Sequence, residues 1–105
     1  MRGDIHRLRS SRDAQGHEQR GGRYCVVLQS NDLVLSTVLV APTSTSAIAT
    51  DFRPSIEIDG IATRVLVEQT GSVNAETRLG EFAGRLEADE LAEVDRALSL
   101  VLGLF

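Results

Sequence analysis

The sequence predicts a small, mainly β domain of the α+β class, with a barrel-like sheet and one C-terminal helix. Three features of the chain predict it. Short β-branched and aliphatic runs alternate with turn residues, an Asp59-Gly60 pair separates two strand-like segments, and the apolar period becomes helical near the C-terminus. At 105 residues, the chain is expected to fold as a single domain over residues 1–105.

The first half of the chain predicts three strands and two loops. Residues 4–8 form a short strand-like segment, and residues 9–22 have no periodic apolar pattern, which indicates a long loop. Residues 23–30 and 33–42 are apolar runs typical of buried strands. We expect the proline at the end of the second run to stop the strand, because proline has no N–H to donate. Residues 43–50 are small and polar and indicate another loop.

The second half predicts a hairpin, a weak strand and a helix. Residues 55–59 alternate with period two and residues 61–67 resume the strand pattern, so the intervening Asp-Gly predicts a tight turn. Residues 81–86 form a less regular strand candidate. Apolar residues at helical spacing follow and predict a helix; they are Leu91, Val94, Leu98 and Val101. Acidic residues lie near the first turn of this helix, and Gly103 is placed to end it.

Charge is unevenly distributed along the chain. The net charge is −4, and all 11 basic residues are arginines. Residues 1–31 hold six arginines against three acids, a balance of +3, whereas residues 32–105 hold five arginines against twelve acids, a balance of −7. The N-terminal part could therefore attract a phosphate backbone, although a solvated loop explains the same charges equally well.

Several classes of protein are excluded by what the sequence lacks. Cys25 is the single cysteine and lies in an apolar run, so it is interpreted as a buried hydrophobic residue. His6, His17 and Cys25 form no metal-ligand motif, so no metal is expected. No phosphate-binding or dinucleotide motif is present, and no cofactor is expected. The chain has no membrane-length apolar segment and no secretory signal, which predicts a cytoplasmic protein.

A more specific signal comes from the order of short motifs along the chain. In order, these are Met1-Arg2-Gly3-Asp4-Ile5, Gly16-His17-Glu18-Gln19, Gly22-Arg23, Cys25-Val26-Val27-Leu28-Gln29-Ser30-Asn31, Val40-Ala41-Pro42-Thr43-Ser44-Thr45, Glu68-Gln69, and Leu102-Gly103-Leu104. The set resembles the MazF/PemK family of toxin–antitoxin ribonucleases. That family usually shows an RGD/E-I opening, GxEQxGxRPxLVxSND, a strand ending VxPxTS, then EQ and a helix ending in LGL.

The resemblance implies a fold and an activity. The fold would be a small SH3-like β-barrel of the MazF/CcdB type with a C-terminal helix, assembled as a homodimer. The activity would be metal-independent, sequence-specific cleavage of single-stranded mRNA through attack by the substrate's own 2′-hydroxyl. Growth arrest would follow, and a small antitoxin would relieve it.

The resemblance also implies catalytic residues. Arg23 matches the catalytic arginine, whose donors suit phosphate oxygens. Ser44 matches the loop threonine two positions after the proline, although Thr43 or Thr45 could take that place and an ordinary turn is an equal alternative. Glu68 matches an acidic residue proposed as general base in some members, and a structural hydrogen-bonding glutamate is the competing interpretation.

Further residues match positions that contact RNA in the family. His17 could transfer a proton or contact phosphate, or it could be an ordinary loop histidine. His6 falls where the family has an aromatic residue and is interpreted as structural. The predicted RNA-binding residues are His17, Gln19, Thr43, Thr45 and Gln69.

The chain departs from the family pattern at several positions that bear on activity, and the segment between Asp32 and Thr37 is shorter than usual. Tyr24 replaces the proline that usually follows the catalytic arginine, and Asn31 occupies the usual aspartate position. Two alternatives therefore stay open: a non-enzymatic gyrase-binding toxin of the CcdB kind, and an inactive relative that only binds an antitoxin.

Overall fold

The computed structural model describes residues 1–9 and 23–104, and antiparallel strands form most of it. The strands are β1 Asp4–Leu8, β2 Tyr24–Val27, β3 Thr37–Ser44, β4 Ser55–Ile58, β5 Ile61–Val65, β6 Gly71–Asn74 and β7 Leu79–Arg85. A 3-10 turn covers Val67–Gln69, and the helices are α1 Ala75–Arg78 and α2 Ala88–Leu102.

The sheet curves around the long strand β3. Its order is β4-β5-β3-β2-β1-β7, and β6 also pairs with β3. The first half of β3 pairs with β6 on one side, its middle pairs with β2, and its last two residues pair with β5. The result is an antiparallel half-barrel with a C-terminal helix, in agreement with the barrel-like sheet and terminal helix that the sequence predicted.

Pro42 does not end its strand, and that prediction was wrong. β3 runs through Pro42, which lies opposite Cys25, and its carbonyl oxygen accepts a hydrogen bond from the Leu66 N–H at 2.8 Å. The missing proline N–H is tolerated because Pro42 lies in a gap on one side of β3, where the pairing with β6 ends at Val40 and the pairing with β5 begins at Thr43. Thr43 and Ser44, predicted to lie in a loop, therefore belong to a strand.

The predicted hairpin is confirmed as β4 and β5. Ile58 pairs with Ile61, leaving Asp59 and Gly60 as a two-residue loop. Both have positive φ, 52° and 78°, which is the conformation that an Asp-Gly turn favours.

The predicted C-terminal helix is confirmed as α2. Glu90 holds its start with both carboxylate oxygens: Oε1 accepts from the Glu87 N–H at 2.8 Å, and Oε2 accepts from the N–H of Glu57 on β4 at 2.9 Å. At the other end, Gly103 adopts a left-handed conformation with φ 71°.

The elements β6 and α1 were not predicted from the sequence. The segment Gly71–Asn74 has one large apolar residue, Val73, so its alternation is too short to recognise. Asn74 then starts α1, because its Oδ1 accepts from the N–H groups of Glu76 and Thr77 at 3.0 and 3.1 Å.

Buried side chains form two clusters. The smaller consists of Cys25, Val27 and Val40, with Leu8, Val38, Val73 and Leu79 packed against it. The larger lies between the sheet and α2 and contains Ile5, Val26, Leu28, Ala41, Ile56, Ile58, Val65, Val67, Leu86, Val94 and Ala97. Within the described residues, no helix has the length and apolar character to cross a membrane.

Candidate functional site

A polar groove lies where β1, β2 and β3 meet the β4–β5 hairpin. Its volume is about 390 Å³. One side carries two guanidinium groups and a series of hydroxyl groups, and the hairpin supplies two isoleucines, an aspartate and a threonine. The hydroxyl-bearing and basic lining residues are Arg7, Arg23, Tyr24, Thr43, Ser44, Thr45 and Ser46.

Strand register brings these residues together. Cys25 lies opposite Pro42 in the β2–β3 pair, which places Tyr24 beside Thr43. The Thr43 hydroxyl donates to the Tyr24 carbonyl oxygen at 2.9 Å. Arg7 lies opposite Tyr24 in the β1–β2 pair, so it reaches the same groove.

Arg23 presents an exposed side chain at the entry to β2. Its backbone is fixed, because the Leu8 N–H donates to the Arg23 carbonyl oxygen at 2.8 Å. Across residues 1–9 and 23–104, no carboxylate forms an ion pair with Arg23. Its guanidinium charge is therefore not neutralised by this part of the chain.

The three candidate hydroxyls differ in environment. Thr43 is 3% exposed and committed to the Tyr24 carbonyl, so it positions β3 against β2. Ser44 is half-buried, and its Oγ accepts from the Ser46 N–H at 3.2 Å. A hydroxyl that accepts can still donate its own proton. Thr45 is exposed. All three line the groove.

Glu68 does not line this groove. It lies in the 3-10 turn, where Arg53 donates to Glu68 Oε2 from Nε at 2.8 Å and from Nη2 at 2.5 Å. The hydrogen bond from Arg53 holds the pKa of this carboxyl below its usual range. Oε1 is buried without a hydrogen-bond partner among the described residues. These contacts favour the structural role of Glu68 over that of a base.

The other predicted contact residues are scattered or outside the described ranges. Gln69 is exposed next to Glu68 and does not line the groove. His17 and Gln19 lie outside the described residues. His6 faces away from the groove: its Nδ1 lies 3.0 Å from the Gly80 carbonyl oxygen, and its ring packs edge-on against Phe82.

Cys25 is fully buried, as predicted. Burial raises the pKa of its thiol to about 11, so the thiol stays protonated at neutral pH. The described residues contain no group of three or more His, Cys, Asp or Glu side chains placed to hold a metal ion.

Residues 1–102 match the family of PemK-like, MazF-like toxins of type II toxin–antitoxin systems. The chain belongs to this family. A Mycobacterium tuberculosis protein named provisionally as a toxin is 39% identical over 104 residues, which cover 99% of this chain and 98% of that protein.

Solved structures of the family share the fold of this chain. MazF from Deinococcus radiodurans superposes with a TM-score of 0.76 and 29% identity, covering 97% of this chain and 94% of that one. A mycobacterial endoribonuclease solved with its cognate antitoxin superposes with a TM-score of 0.78 at 15% identity, covering 100% of this chain and 96% of that one. At that identity, the second match supports the fold alone.

In this groove, sequence reasoning missed two residues, Arg7 and Tyr24. Arg7 donates from Nη2 to the Tyr24 hydroxyl at 3.2 Å, and its Cζ lies 4.8 Å from the centre of the Tyr24 ring. Tyr24 was noted only as a substitution for proline. The available signal was the strand alternation, which places Arg7 on the same face of β1 as Ile5.

Proposed function

We propose that this protein is a metal-independent endoribonuclease toxin that cleaves single-stranded mRNA at specific sequences and is neutralised by a small antitoxin. The observation that carries the proposal is the groove, in which Arg23 without an ion pair among the described residues lies beside a series of hydroxyl donors. Membership of a family of toxins supports it. A mycobacterial protein with the same fold is an endoribonuclease that was solved with its cognate antitoxin.

The groove suits the charge changes of RNA cleavage. Attack by the 2′-hydroxyl on the neighbouring phosphorus crowds negative charge onto the phosphoryl oxygens. Arg23 would offset that charge with two donors at once. Ser44 would donate its hydroxyl proton to a phosphoryl oxygen, with Thr45 as the neighbouring exposed hydroxyl and Thr43 holding the strand in place.

Two proton transfers complete the reaction. A base takes the 2′-hydroxyl proton, and an acid protonates the departing 5′-oxygen. The family resemblance implies Glu68 as the base, but Glu68 lies outside the groove and is bonded to Arg53, which favours a structural role. His17 is the other predicted side chain whose chemistry suits proton transfer near neutral pH, and we propose it for this role. His17, Gln19 and Gln69 are proposed to contact RNA beside these groups.

The proposed assembly is a homodimer. Leu33, Val34 and Leu35 are exposed and line a second groove of about 330 Å³ together with Val38 and Leu79. An exposed apolar surface of this kind is typical of an interaction site. A second copy of the chain or the antitoxin would bury it.

The decisive experiment incubates the purified full-length protein with a long single-stranded RNA in EDTA. We expect cleavage at a limited set of sites, leaving 2′,3′-cyclic phosphate and 5′-hydroxyl ends, because the 2′-oxygen is the nucleophile. Random cleavage, or cleavage only after a divalent metal is added, would contradict the proposal.

The two rivals give different results in the same preparation. Inhibition of gyrase supercoiling without RNA cleavage would identify a gyrase-binding toxin. Binding of an antitoxin with neither activity would identify an inactive relative.

A further inference from the structure

A pair of side chains at the edge of the groove has no part in the mechanism described above. Arg7 on β1 and Tyr24 on β2 lie directly opposite each other in the antiparallel register. The guanidinium of Arg7 both stacks on the Tyr24 ring, at 4.8 Å, and donates to its hydroxyl, at 3.2 Å. Two simultaneous contacts restrict a side chain that would otherwise sample many rotamers.

Tyr24 has an aromatic ring that is fixed by packing and a polar hydroxyl group at its end. The Tyr24 ring packs against the larger hydrophobic cluster, and its hydroxyl lies in the groove lining. The hydroxyl accepts from Arg7 and can still donate its own proton to another acceptor. Arg7 itself is exposed and lines the same groove.

We propose that Arg7 and Tyr24 form a second phosphate-binding site, which holds an RNA phosphate next to the scissile one. This inference rests on the proposed function, since it concerns the same groove. Arg7 supplies positive charge, and the Tyr24 hydroxyl donates to a phosphate oxygen. Arg23 and Tyr24 both line the groove, so two phosphate-binding sites there would fix the direction in which an RNA strand lies.

A merely structural role for the pair would produce a different signature. Cross-strand pairs do stabilise sheets, by about 0.2–1 kcal/mol. That contribution changes the unfolding midpoint and leaves the salt dependence of RNA binding untouched. A phosphate contact instead changes the slope of log Kd against log salt, by about 0.7 for each phosphate neutralised on a single strand.

The test measures binding of the full-length protein to a fluorescent, mixed-sequence, 2′-O-methylated single-stranded RNA by anisotropy at several salt concentrations. The methylated probe lacks the nucleophile, so binding is measured without cleavage. Arg7→Gln should weaken binding about tenfold at low salt and lower the slope by about 0.7. Tyr24→Phe should weaken binding by a similar factor without changing the slope, because it removes a hydrogen bond and no charge.

Arg96→Gln is the matched control. Arg96 lies on α2, pairs with Glu93 and does not line the groove, and the substitution changes net charge as Arg7→Gln does. Arg96→Gln should bind the RNA probe with the wild-type affinity and with the wild-type slope of log Kd against log salt, within error. Cleavage assays on unmodified RNA should show KM raised in Arg7→Gln and Tyr24→Phe with kcat nearly unchanged.

The outcomes separate this inference from the proposed function. If Arg7→Gln has the same slope as Arg96→Gln, or if the wild-type protein does not bind the probe, the second phosphate site is wrong even where the wild type cleaves RNA. If the wild type binds the probe with the predicted Arg7 dependence but never cleaves RNA, the site stands and the nuclease proposal fails.

Discussion

Arginines in two regions of the molecule differ in whether a carboxylate lies beside them. In the groove, Arg23 has no ion pair among the described residues, and Arg7 is held by the aromatic ring and hydroxyl of Tyr24. Beside the 3-10 turn, Arg53 is bound to the carboxylate of Glu68, and both side chains are about three-quarters buried.

This comparison indicates which arginine charges a ligand could contact. The charge of Arg53 is balanced inside the protein, and its hydrogen bonds keep Glu68 ionised. In the groove, Arg7 stacks on the Tyr24 ring and donates to its hydroxyl, and both contacts orient the guanidinium. On the proposed function, a phosphate backbone would therefore meet the positive charge of Arg23, which has no ion pair among the described residues, despite the net charge of −4.

The largest effect should come from Arg23→Ala. Loss of this guanidinium should reduce kcat for RNA cleavage by about 10²–10³-fold, because preorganised charge at the phosphate is removed. The free energy of unfolding should be unchanged, since the Arg23 side chain is exposed. Arg64→Ala is the comparison variant, as Arg64 bonds to the Arg53 carbonyl oxygen and does not line the groove. Equal cleavage by the two variants would remove Arg23 from the mechanism.

A smaller loss is expected from the double substitution Ser44→Ala, Thr45→Ala. It removes the two candidate hydroxyls other than that of Thr43 and should lower kcat by about 10–100-fold, the value of a hydrogen bond to a charged group. Ser72→Ala, on β6 outside the groove, should have no effect. Full turnover by the double variant would assign hydrogen-bond donation to another residue.

The smallest effect should come from Glu68→Gln, and it should appear in stability. At pH 7 the substitution should cost about 1–3 kcal/mol of unfolding free energy, because it weakens the hydrogen bonds with Arg53. The lowered pKa of Glu68 stabilises the fold above about pH 4.5, and this contribution is lost as the pH falls through the pKa of the folded protein. The difference between wild type and variant should therefore shrink below that pH in urea titrations.

Glu93→Gln provides the control for this pair. Glu93 pairs with Arg96 on the surface of α2, where both side chains are more than half exposed, so its loss should cost less than about 1 kcal/mol. Cleavage by Glu68→Gln should stay within several-fold of wild type if the carboxylate is structural. A drop in kcat by two or more orders of magnitude would instead establish Glu68 as the general base.

Much of the fold followed from local patterns. The Asp59-Gly60 turn and the helical stripe of α2 depend on residues near one another in the chain, and both predictions were confirmed. The prediction for Pro42 was wrong, because the rule that proline ends a strand assumes a single partner on each side. Here the partner on one side of β3 changes from β6, whose pairing ends at Val40, to β5, whose pairing begins at Thr43, and this change depends on tertiary pairing.

The residues of the candidate site were predicted from the sequence only in part. Family motifs pointed to Arg23 and Ser44, and the structure places both in one groove. The Arg7–Tyr24 pair depends on the register between two strands that residues 9–23 separate, which no local pattern encodes. The Arg53–Glu68 ion pair likewise joins two elements that are 15 positions apart.

The double hydrogen bonding of Glu90 ties the beginning of α2 to the outer strand of the sheet. An outer strand with bare N–H groups is a template on which another chain can add a strand and aggregate. The Glu90 carboxylate binds the Glu57 N–H of this outer strand, and it does so only while the first turn of the helix is intact. Fraying of α2 at its start would therefore open β4 to self-association, and the folded helix protects the protein against it.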